Sequence, residues 1–301
     1  MDPQAPPVVA VVVTADDWPG LGVTLTSLAQ QDYPSLSVLV IDAASPADPT
    51  PRVASVMPSA YVRRLPAPAG FAEAANQCLE VVEGGAFFLL CHDDVALDPD
   101  AVRVMVEEAF RSNAGIVCPK LVDWDDPSRL QQVGMAADKG GVVHPFVTPG
   151  EIDQEQHDAV RDVFVAPGAA TLVRVDLFRA LGGFDPAIEL MGEDVDLCWR
   201  AQVAGARVVV APGARARHQA ALSSGLRPVP VLPGVPTGPE ALLTLRRRHE
   251  LRSSLKCYGR WHLVRVLPHL AFHSLVEGGV ALAGGHAARA RAALGAWRWN
   301  L

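Results

Sequence analysis

The sequence predicts an α/β protein with a mostly parallel, doubly wound sheet, followed by a helical C-terminal extension. Continuous β-branched runs, such as VVAVVVT at 8–14, are typical of strands that are covered on both faces. These runs alternate with helical segments, and a strand–helix–strand rhythm produces a parallel sheet with helices on both faces. The chain of 301 residues, half of them hydrophobic, is long enough to bury a sizeable core.

The first half of the chain contains the clearest patterns. The predicted strands are 8–14, 36–45, 86–94 and 114–122, and the predicted helices are 22–31, 70–82 and 98–111. The last helix has Asp98 at its predicted N-cap and Pro99 at its first helical position, where a missing N–H costs nothing.

The second half is less regular. Residues 123–162 are rich in Asp, Gly, Pro and Gln and lack periodicity, which predicts a long excursion over the functional site. Strand character returns at 162–178, and a helix with acidic residues in its first turn and a closing strand are predicted at 192–205 and 206–219. A linker rich in Pro and Gly at 225–240 then separates a main domain at 1–224 from a helical tail at 241–301.

Composition restricts the class of function. Five scattered cysteines without a CxxC pair favour a reducing compartment over a disulfide framework or a zinc knuckle. Residues 1–240 carry 16 Lys and Arg against 31 Asp and Glu, so this acidic body is not expected to bind nucleic acid. No basic segment precedes the first apolar run, which argues against a secretory signal and predicts a cytoplasmic location.

The tail at 241–301 has the opposite charge balance, with 10 Lys and Arg against 2 Asp and Glu. A basic, apolar tail is typical of a helix lying on the anionic inner leaflet of the plasma membrane, and equally of an ordinary solvated helix pair. Residues 266–285 are a poor candidate for a spanning helix, because Pro268, Glu277 and two histidines interrupt the apolar run.

Acidic residues follow two predicted strands, at the edge where doubly wound sheets bind ligands. Asp42 ends the second strand, and Asp93 and Asp94 end the third. Such acids repel each other unless a cation lies among them, and hard divalent cations bind carboxylates and bridge diphosphates. His218, which follows the closing strand, adds a nitrogen ligand that suits Mn²⁺. A metal site is therefore predicted, with helix-capping acids as the alternative.

Phosphate-binding glycine loops are missing from the sequence. Neither GxxxxGK[ST] nor GxGxxG follows the first strand, so the usual ATP and dinucleotide sites are not expected.

Over residues 7–222 the chain resembles the family 2 inverting glycosyltransferases of the GT-A fold, of the bacterial cell-envelope type. The matching segments, in the order of the family, are VVVTADD, SLAQQDYP, VIDAAS, GFAEAANQ, CHDDVALDPDAV, GAATLVRVDLFRALGGFDP and GEDVDLCWRAQVAGARVVVAPGARARH. The resemblance implies metal-dependent transfer of a sugar from a nucleotide-diphosphate sugar to a glycan or lipid-linked hydroxyl. It also implies that about 7–122 bind the donor and about 123–222 face the acceptor.

The resemblance implies a metal site built from a few positions. Asp94, with Asp93, matches the D-x-D motif that holds Mn²⁺ or Mg²⁺ on the donor diphosphate, and His218 matches a histidine that completes the metal shell. His92 stands where the family usually has an acid, and it is a further candidate ligand.

The resemblance also implies the catalytic and donor-binding residues. Glu193 and Asp194 match an acidic pair at a helix start, and Asp194 is the predicted general base. Contacts with the nucleotide sugar are expected from Thr14, Asp16, Asp42, Gly70, Phe71, Asn76 and Asp93.

Two other classes remain open from the sequence. A nucleotidyltransferase would share the fold and the metal, but it needs a basic, glycine-rich loop where this chain has TADDWPG. A non-catalytic nucleotide-sugar-binding or scaffold domain is the second alternative, because His92 and Ala15 depart from the residues usual in the family.

Overall fold

The computed structural model describes residues 5–138, 141–148, 150–238 and 240–301. In these residues the strands are β1 (Val8–Thr14), β2 (Leu36–Asp42), β3 (Tyr61–Arg64), β4 (Phe87–His92), β5 (Val95–Leu97), β6 (Ala114–Asp123), β7 (Leu130–Gln132), β8 (Met135–Ala137), β9 (Val143–Pro145), β10 (Arg161–Asp162), β11 (Ala170–Arg174) and β12 (Arg207–His218). The helices are α1 (Gly20–Ala29), α2 (Thr50–Val56), α3 (Phe71–Asn76), α4 (Cys78–Val81), α5 (Ala101–Arg111), α6 (Val175–Ala180), α7 (Glu193–Val203), α8 (Ala241–Cys257), α9 (Arg260–Ala283) and α10 (Ala287–Asn300).

A mixed central sheet runs in the order β10-β12-β6-β11-β4-β1-β2-β3, with β5 beside β12 and β7 beside β6. The pairs β1–β2, β1–β4, β2–β3 and β6–β12 are parallel, whereas β11 is antiparallel to both β4 and β6. The predicted α/β fold with a mostly parallel sheet and C-terminal helices is confirmed.

Strand β1 explains the continuous apolar run at the start of the chain. Val11 and Val13 belong to the core on one face of the sheet, and Ala10 and Val12 belong to the core on the other face. Because successive side chains of a strand alternate in direction, a strand covered on both faces needs apolar residues at every position.

The register of the parallel strands aligns their carboxyl ends. Thr14 of β1 pairs with Asp42 of β2, and Val13 pairs with His92 of β4. The short strand β5 then pairs antiparallel with the end of β12, so that His218 lies opposite Val95. This pairing brings a distant histidine next to the Asp93–Asp94 turn.

Several local predictions were incomplete or wrong. The segment between β2 and α3 contains α2 and the edge strand β3, which sequence patterning missed because Tyr61 is 72% exposed and the strand has no apolar face. The predicted helix at 70–82 is two short helices separated at Gln77, and the predicted strand region at 162–178 ends in helix α6. Helix α5 starts at Ala101, after Asp100 rather than Asp98.

The tail packs on the main domain through α8, which contacts α7. Asp185 accepts hydrogen bonds from Arg252 Nε at 2.8 Å and Lys256 Nζ at 2.7 Å, and Lys256 also forms an ion pair with Asp196. Helices α9 and α10 pack against each other, and α10 also packs against α8. Part of the basic charge of the tail therefore neutralises acids of the main domain.

Candidate active site

A cavity of about 470 Å³ lies at the carboxyl edge of β1, β2 and β4. Its volume is in the range of small-molecule sites, about 300–1,000 Å³. The lining comes from the loops after these three strands, from Pro68–Phe71, from Leu190–Glu193 and from residues 222–232. This is the edge at which the sequence predicted ligand binding.

Three predicted metal ligands meet beside this cavity. The ligand atoms of His92, Asp94 and His218 all lie within 4.8 Å of one another. Asp94 Oδ1 is 3.4 Å from His218 Nε2 and 3.8 Å from His92 Nδ1. The other oxygen of Asp94, Oδ2, accepts a hydrogen bond from the Ala221 N–H at 2.8 Å, which fixes the carboxylate.

Gln131 orients His218 for metal binding. The amide nitrogen of Gln131 donates to the His218 carbonyl oxygen at 3.0 Å, so the amide oxygen Oε1 faces His218 Nδ1 at 2.6 Å. Because that oxygen only accepts, Nδ1 carries the hydrogen and Nε2 presents its lone pair to the cluster. Sequence reasoning missed Gln131, since it lies in the unpatterned excursion.

The cluster fits a divalent cation. Asp94 Oδ1 is buried and has no hydrogen-bond partner among the described residues, which is costly unless a ligand reaches it. Burial works to raise the pKa of Asp94, but the neighbouring imidazoles of His218 and His92 and the Ala221 N–H together hold that pKa below its usual range. Burial also lowers the pKa of His92 to about 4, so its imidazole is neutral near pH 7, the form that ligates a metal.

Arg227 neutralises two predicted donor-binding acids. Its guanidinium donates to Asp16 at 2.7 and 2.8 Å and to Asp93 at 2.8 and 3.2 Å. Burial raises the pKa of Asp93, which Arg227 and a hydrogen bond from Thr14 only partly offset. Arg227 lies in the predicted linker and was missed. The sequence feature that could have identified Arg227 is that it is the one basic residue at 225–240.

The predicted linker also covers the cavity. Residues 225–238 contain no described helix or strand, but Pro228–Leu232 form part of the cavity lining. The apolar side chains of Val229, Val231 and Leu232 thus contribute to a cavity lining that also contains acidic residues.

Glu193 and Asp194 have different surroundings. Glu193 lines the cavity, and its Oε2 is buried without a hydrogen-bond partner among the described residues. Burial and the neighbouring charge of Asp194 raise the pKa of Glu193 to about 8. The carboxylate of Asp194 instead accepts the N–H groups of Gly168 at 3.2 Å and Val195 at 2.8 Å, and Asp194 is absent from the described lining.

Asp42 and Thr14 lie behind the cavity wall. Asp42 is completely buried, and its Oδ1 accepts the Ser45 N–H at 2.8 Å while Arg64 Nε lies 3.1 Å from Oδ2. Neither Asp42 nor Thr14 belongs to the described cavity lining, whereas Ala43, next to Asp42, does. The predicted contact of both residues with the nucleotide stays a prediction.

The segment GFAEAAN at 70–76 contains three predicted donor-binding residues. One of them, Phe71, belongs to the described cavity lining. Phe71 also packs edge-on against His92, with ring centroids 4.7 Å apart. A Cβ at Gly70 would lie 2.2 Å from the Glu189 carbonyl oxygen, so the backbones approach too closely for any other residue. Asn76 exchanges two hydrogen bonds with the backbone of Phe184 and is not in the described lining.

Comparisons with known proteins identify the family of the chain. The profile described as "Glycosyltransferase like family 2" matches residues 6–228. The chain belongs to this family. This family 2 glycosyltransferase is 32% identical over 242 residues to the N-acetylglucosaminyl-diphospho-decaprenol L-rhamnosyltransferase of Mycobacterium tuberculosis, which covers 72% of this chain and 78% of that protein. It is also 27% identical over 233 residues to the O-antigen biosynthesis protein RfbC of Myxococcus xanthus, a match that covers 74% of this chain but 18% of RfbC.

Solved structures show the same fold. GalNAc-T7 with UDP, GalNAc and Mn²⁺ superposes on this family 2 member with a TM-score of 0.62 at 14% identity, covering 81% of this chain and 48% of that chain. The mannosyltransferase PcManGT from Pyrobaculum calidifontis, in complex with GDP-Man and Mn²⁺, superposes with a TM-score of 0.58 at 18% identity, covering 99% and 88%. The GT-A fold that the resemblance implied is confirmed.

Proposed function

We propose that the protein is a metal-dependent inverting glycosyltransferase of cell-envelope synthesis. It transfers a sugar from a nucleotide-diphosphate sugar to a hydroxyl of a glycan or lipid-linked acceptor. The observation that carries this proposal is that His92, Asp94 and His218 form one cluster, two members of which, His92 and Asp94, line the same cavity as Glu193. The acceptor class is inferred from the relatives in Mycobacterium tuberculosis and Myxococcus xanthus, which are named as a decaprenol-linked rhamnosyltransferase and an O-antigen biosynthesis protein.

The cluster would hold Mn²⁺ or Mg²⁺. Two imidazole nitrogens and one carboxylate oxygen favour Mn²⁺, since Mg²⁺ prefers oxygen ligands throughout. When bound, the metal supplies positive charge to the diphosphate of the donor. The residues of the chain do the remaining work: Ala221 and Gln131 orient the ligands, and Arg227 offsets the charge of Asp16 and Asp93 beside the donor.

A general base on the acceptor side completes the reaction. Inversion needs one displacement, in which the acceptor hydroxyl loses its proton to a carboxylate as its oxygen bonds to the anomeric carbon. The bond from that carbon to the diphosphate breaks in the same step, and the nucleoside diphosphate leaves from the opposite face. Glu193 lines the cavity and has a buried oxygen, Oε2, without a hydrogen-bond partner among the described residues, whereas Asp194, the base predicted from the resemblance, lies about 100° further around α7. The geometry favours Glu193 as the base, with Asp194 holding the start of the helix against Gly168.

The acceptor side extends to a membrane through α9. This helix, among the described residues, is long and apolar enough to cross a membrane by length and composition, and 11% of its most apolar window is buried. Trp261, Phe272 and Leu275 are 86%, 69% and 63% exposed and recur at a helical spacing. We assign α9 to an in-plane contact with the inner leaflet, which would place the active site near a lipid-linked acceptor.

Transfer assays test the proposal directly. The purified protein is incubated with nucleotide sugars, including a nucleotide-linked rhamnose, and with a polyprenyl-diphosphate-sugar acceptor, with Mn²⁺ or with EDTA. The expected result is Mn²⁺-dependent transfer with inversion of the anomeric centre, read by NMR. A product with retained configuration, or equal transfer in EDTA, would overturn the mechanism.

A further inference from the structure

His249 of the tail helix α8 is completely buried against the loop that leads into α7. Its Nδ1 lies 2.8 Å from the Met191 carbonyl oxygen, and its Nε2 lies 3.3 Å from Glu189 Oε2. Because a carbonyl oxygen only accepts, Nδ1 carries the hydrogen of this bond. His249 also lies outside the residues 6–228 that match the family, so the family pattern assigns it no role.

The loop that His249 contacts contains two residues with left-handed backbone angles. Met191 has a φ of 64° and Gly192 has a φ of 107°, and left-handed backbone at a non-glycine residue persists only where the surroundings hold it. On the other side, the backbone of Glu189 packs against Gly70, where no Cβ fits. The loop at 189–192 is therefore held between Gly70 and His249.

This loop determines where the acidic pair points. Leu190 and Met191 line the cavity, and Glu193 follows directly as the first residue of α7. A change of backbone angles at Met191 or Gly192 would rotate the first turn of the helix and move Glu193 away from the cavity. Misplacement of a reacting group by about 1 Å can cost about a hundredfold in rate.

We propose that His249 is a positioning residue for the transfer reaction. It holds the 189–192 loop so that Glu193 faces the cavity, which makes α8 part of the catalytic apparatus and not a separate extension. The effect of His249 on transfer rests on the proposed function. Its support of the 189–192 loop rests on the geometry alone.

Helix α8 has other anchors, so variants of His249 can be made without undocking it. Leu245 is completely buried and packs with Leu190, and Arg252 and Lys256 are both bonded to Asp185. The amide of an asparagine at 249 can donate to the Met191 carbonyl oxygen from nearly the place of Nδ1, whereas alanine cannot. Leu251, buried on the same helix beside a separate small cavity with Trp297, provides the matched control.

Hydrogen exchange of the full chain tests the holding of the loop. His249→Ala is expected to speed amide exchange at 189–196 by about tenfold or more, with α8 itself unchanged, because the opening of the loop becomes easier. His249→Asn is expected to restore most of the protection, and Leu251→Ala is expected to leave 189–196 as in the parent. Unchanged amide exchange at 189–196 in His249→Ala would overturn the inference, and this result does not depend on the proposed transfer activity.

Kinetics test the catalytic half. His249→Ala is expected to lower kcat by about ten- to a hundredfold while the KM for the donor changes by less than about twofold. His249→Asn is expected to recover most of kcat. Equal losses in Leu251→Ala would mean that kcat follows general stability and would overturn the positioning role. Absence of transfer by the parent would instead overturn the proposed function, and the exchange data would still decide whether His249 holds the loop.

Discussion

At the scale of single residues, the proposed metal site depends on a side chain outside the proposed ligand set. Gln131 fixes the tautomer of His218 through the 2.6 Å contact with Nδ1. Gln131→Leu is expected to weaken Mn²⁺ binding by about 10–100-fold, since partners of metal-bound histidines typically contribute that much. Gln132→Leu is the control, because neighbouring side chains of β7 point to opposite faces. Calorimetric titration with Mn²⁺ measures both, and equal affinities would contradict the role of Gln131.

The acidic pair predicts a pH dependence with a defined sign. The pKa of Glu193 is raised to about 8, so a base at this position is mostly protonated at pH 6 and gains activity as the pH rises toward 8. Glu193→Gln is expected to lower kcat/KM by about 10²–10⁴-fold and remove the rise. Asp194→Asn is expected to move the midpoint of the profile to lower pH, because the charge of Asp194 helps to raise the pKa of Glu193. A large loss of kcat/KM in Asp194→Asn, together with an active Glu193→Gln, would show that Asp194 is the base, as predicted from the sequence.

At the scale of elements, Arg227 ties the segment at 225–238 to two acids of the site. Arg227 is 16% exposed and bridges Asp16 to Asp93, which is 3% exposed. Removing one partner of a buried ion pair typically costs about 3–5 kcal/mol, because the other charge stays buried without compensation. Arg227→Met is expected to approach that loss in urea unfolding, and adding Asp93→Asn is expected to recover part of it. Additive effects of the two changes would show that Arg227 does not stabilise Asp93.

Helix α9 predicts a measurable membrane affinity. Its exposed apolar residues lie near the basic residues Arg260 and Arg265, a combination that favours anionic lipid. Trp261→Ser with Phe272→Ser is expected to lower binding to phosphatidylglycerol vesicles by more than about tenfold, since burying one large apolar side chain contributes about 1.5–3 kcal/mol. Tyr61→Ser, at a 72% exposed position of β3, is the control. Vesicle sedimentation measures binding, and equal sedimentation of parent and double variant would exclude α9.

At the scale of the whole molecule, periodicity and strand ends were sufficient to predict the sheet edge and the acids Asp42, Asp93 and Asp94 that lie along it. His92 entered the prediction through the family resemblance. The apolar runs of β1, β2 and β4 all predict buried strands, and the carboxyl ends of parallel strands lie at the same edge of the sheet. His218 joined the prediction through the family resemblance and its position after a strand. Pairing of β5 with β12 is what brings it to Asp94.

The residues that sequence reasoning missed share a physical cause. Gln131 and Arg227 lie in segments without periodicity, where long-range contacts and not local patterns decide the position of a side chain. The choice between Glu193 and Asp194 depends on side-chain direction at a helix start, which spacing does not specify. The antiparallel strand β11 was also unpredictable, because an apolar run does not encode the direction of its neighbours.

The division of the chain into a main domain at 1–224 and a tail at 241–301 stays a prediction that concerns the whole molecule. Leu245 and His249 of α8 are completely buried, and Leu245 packs with Leu190 beside the active site. The boundary of the cooperative unit should therefore lie after α8, although the sequence predicted it at the linker.

A chain ending at residue 258 is expected to unfold near the temperature of the full chain. A chain ending at residue 240 is expected to lose several kcal/mol, because each large apolar side chain that it exposes or leaves unpacked contributes about 1.5–3 kcal/mol. Calorimetry and limited proteolysis compare the three chains. If the chain ending at 240 is as stable as the full chain, α8 belongs to an independent tail and the support of the 189–192 loop must come from Gly70 alone.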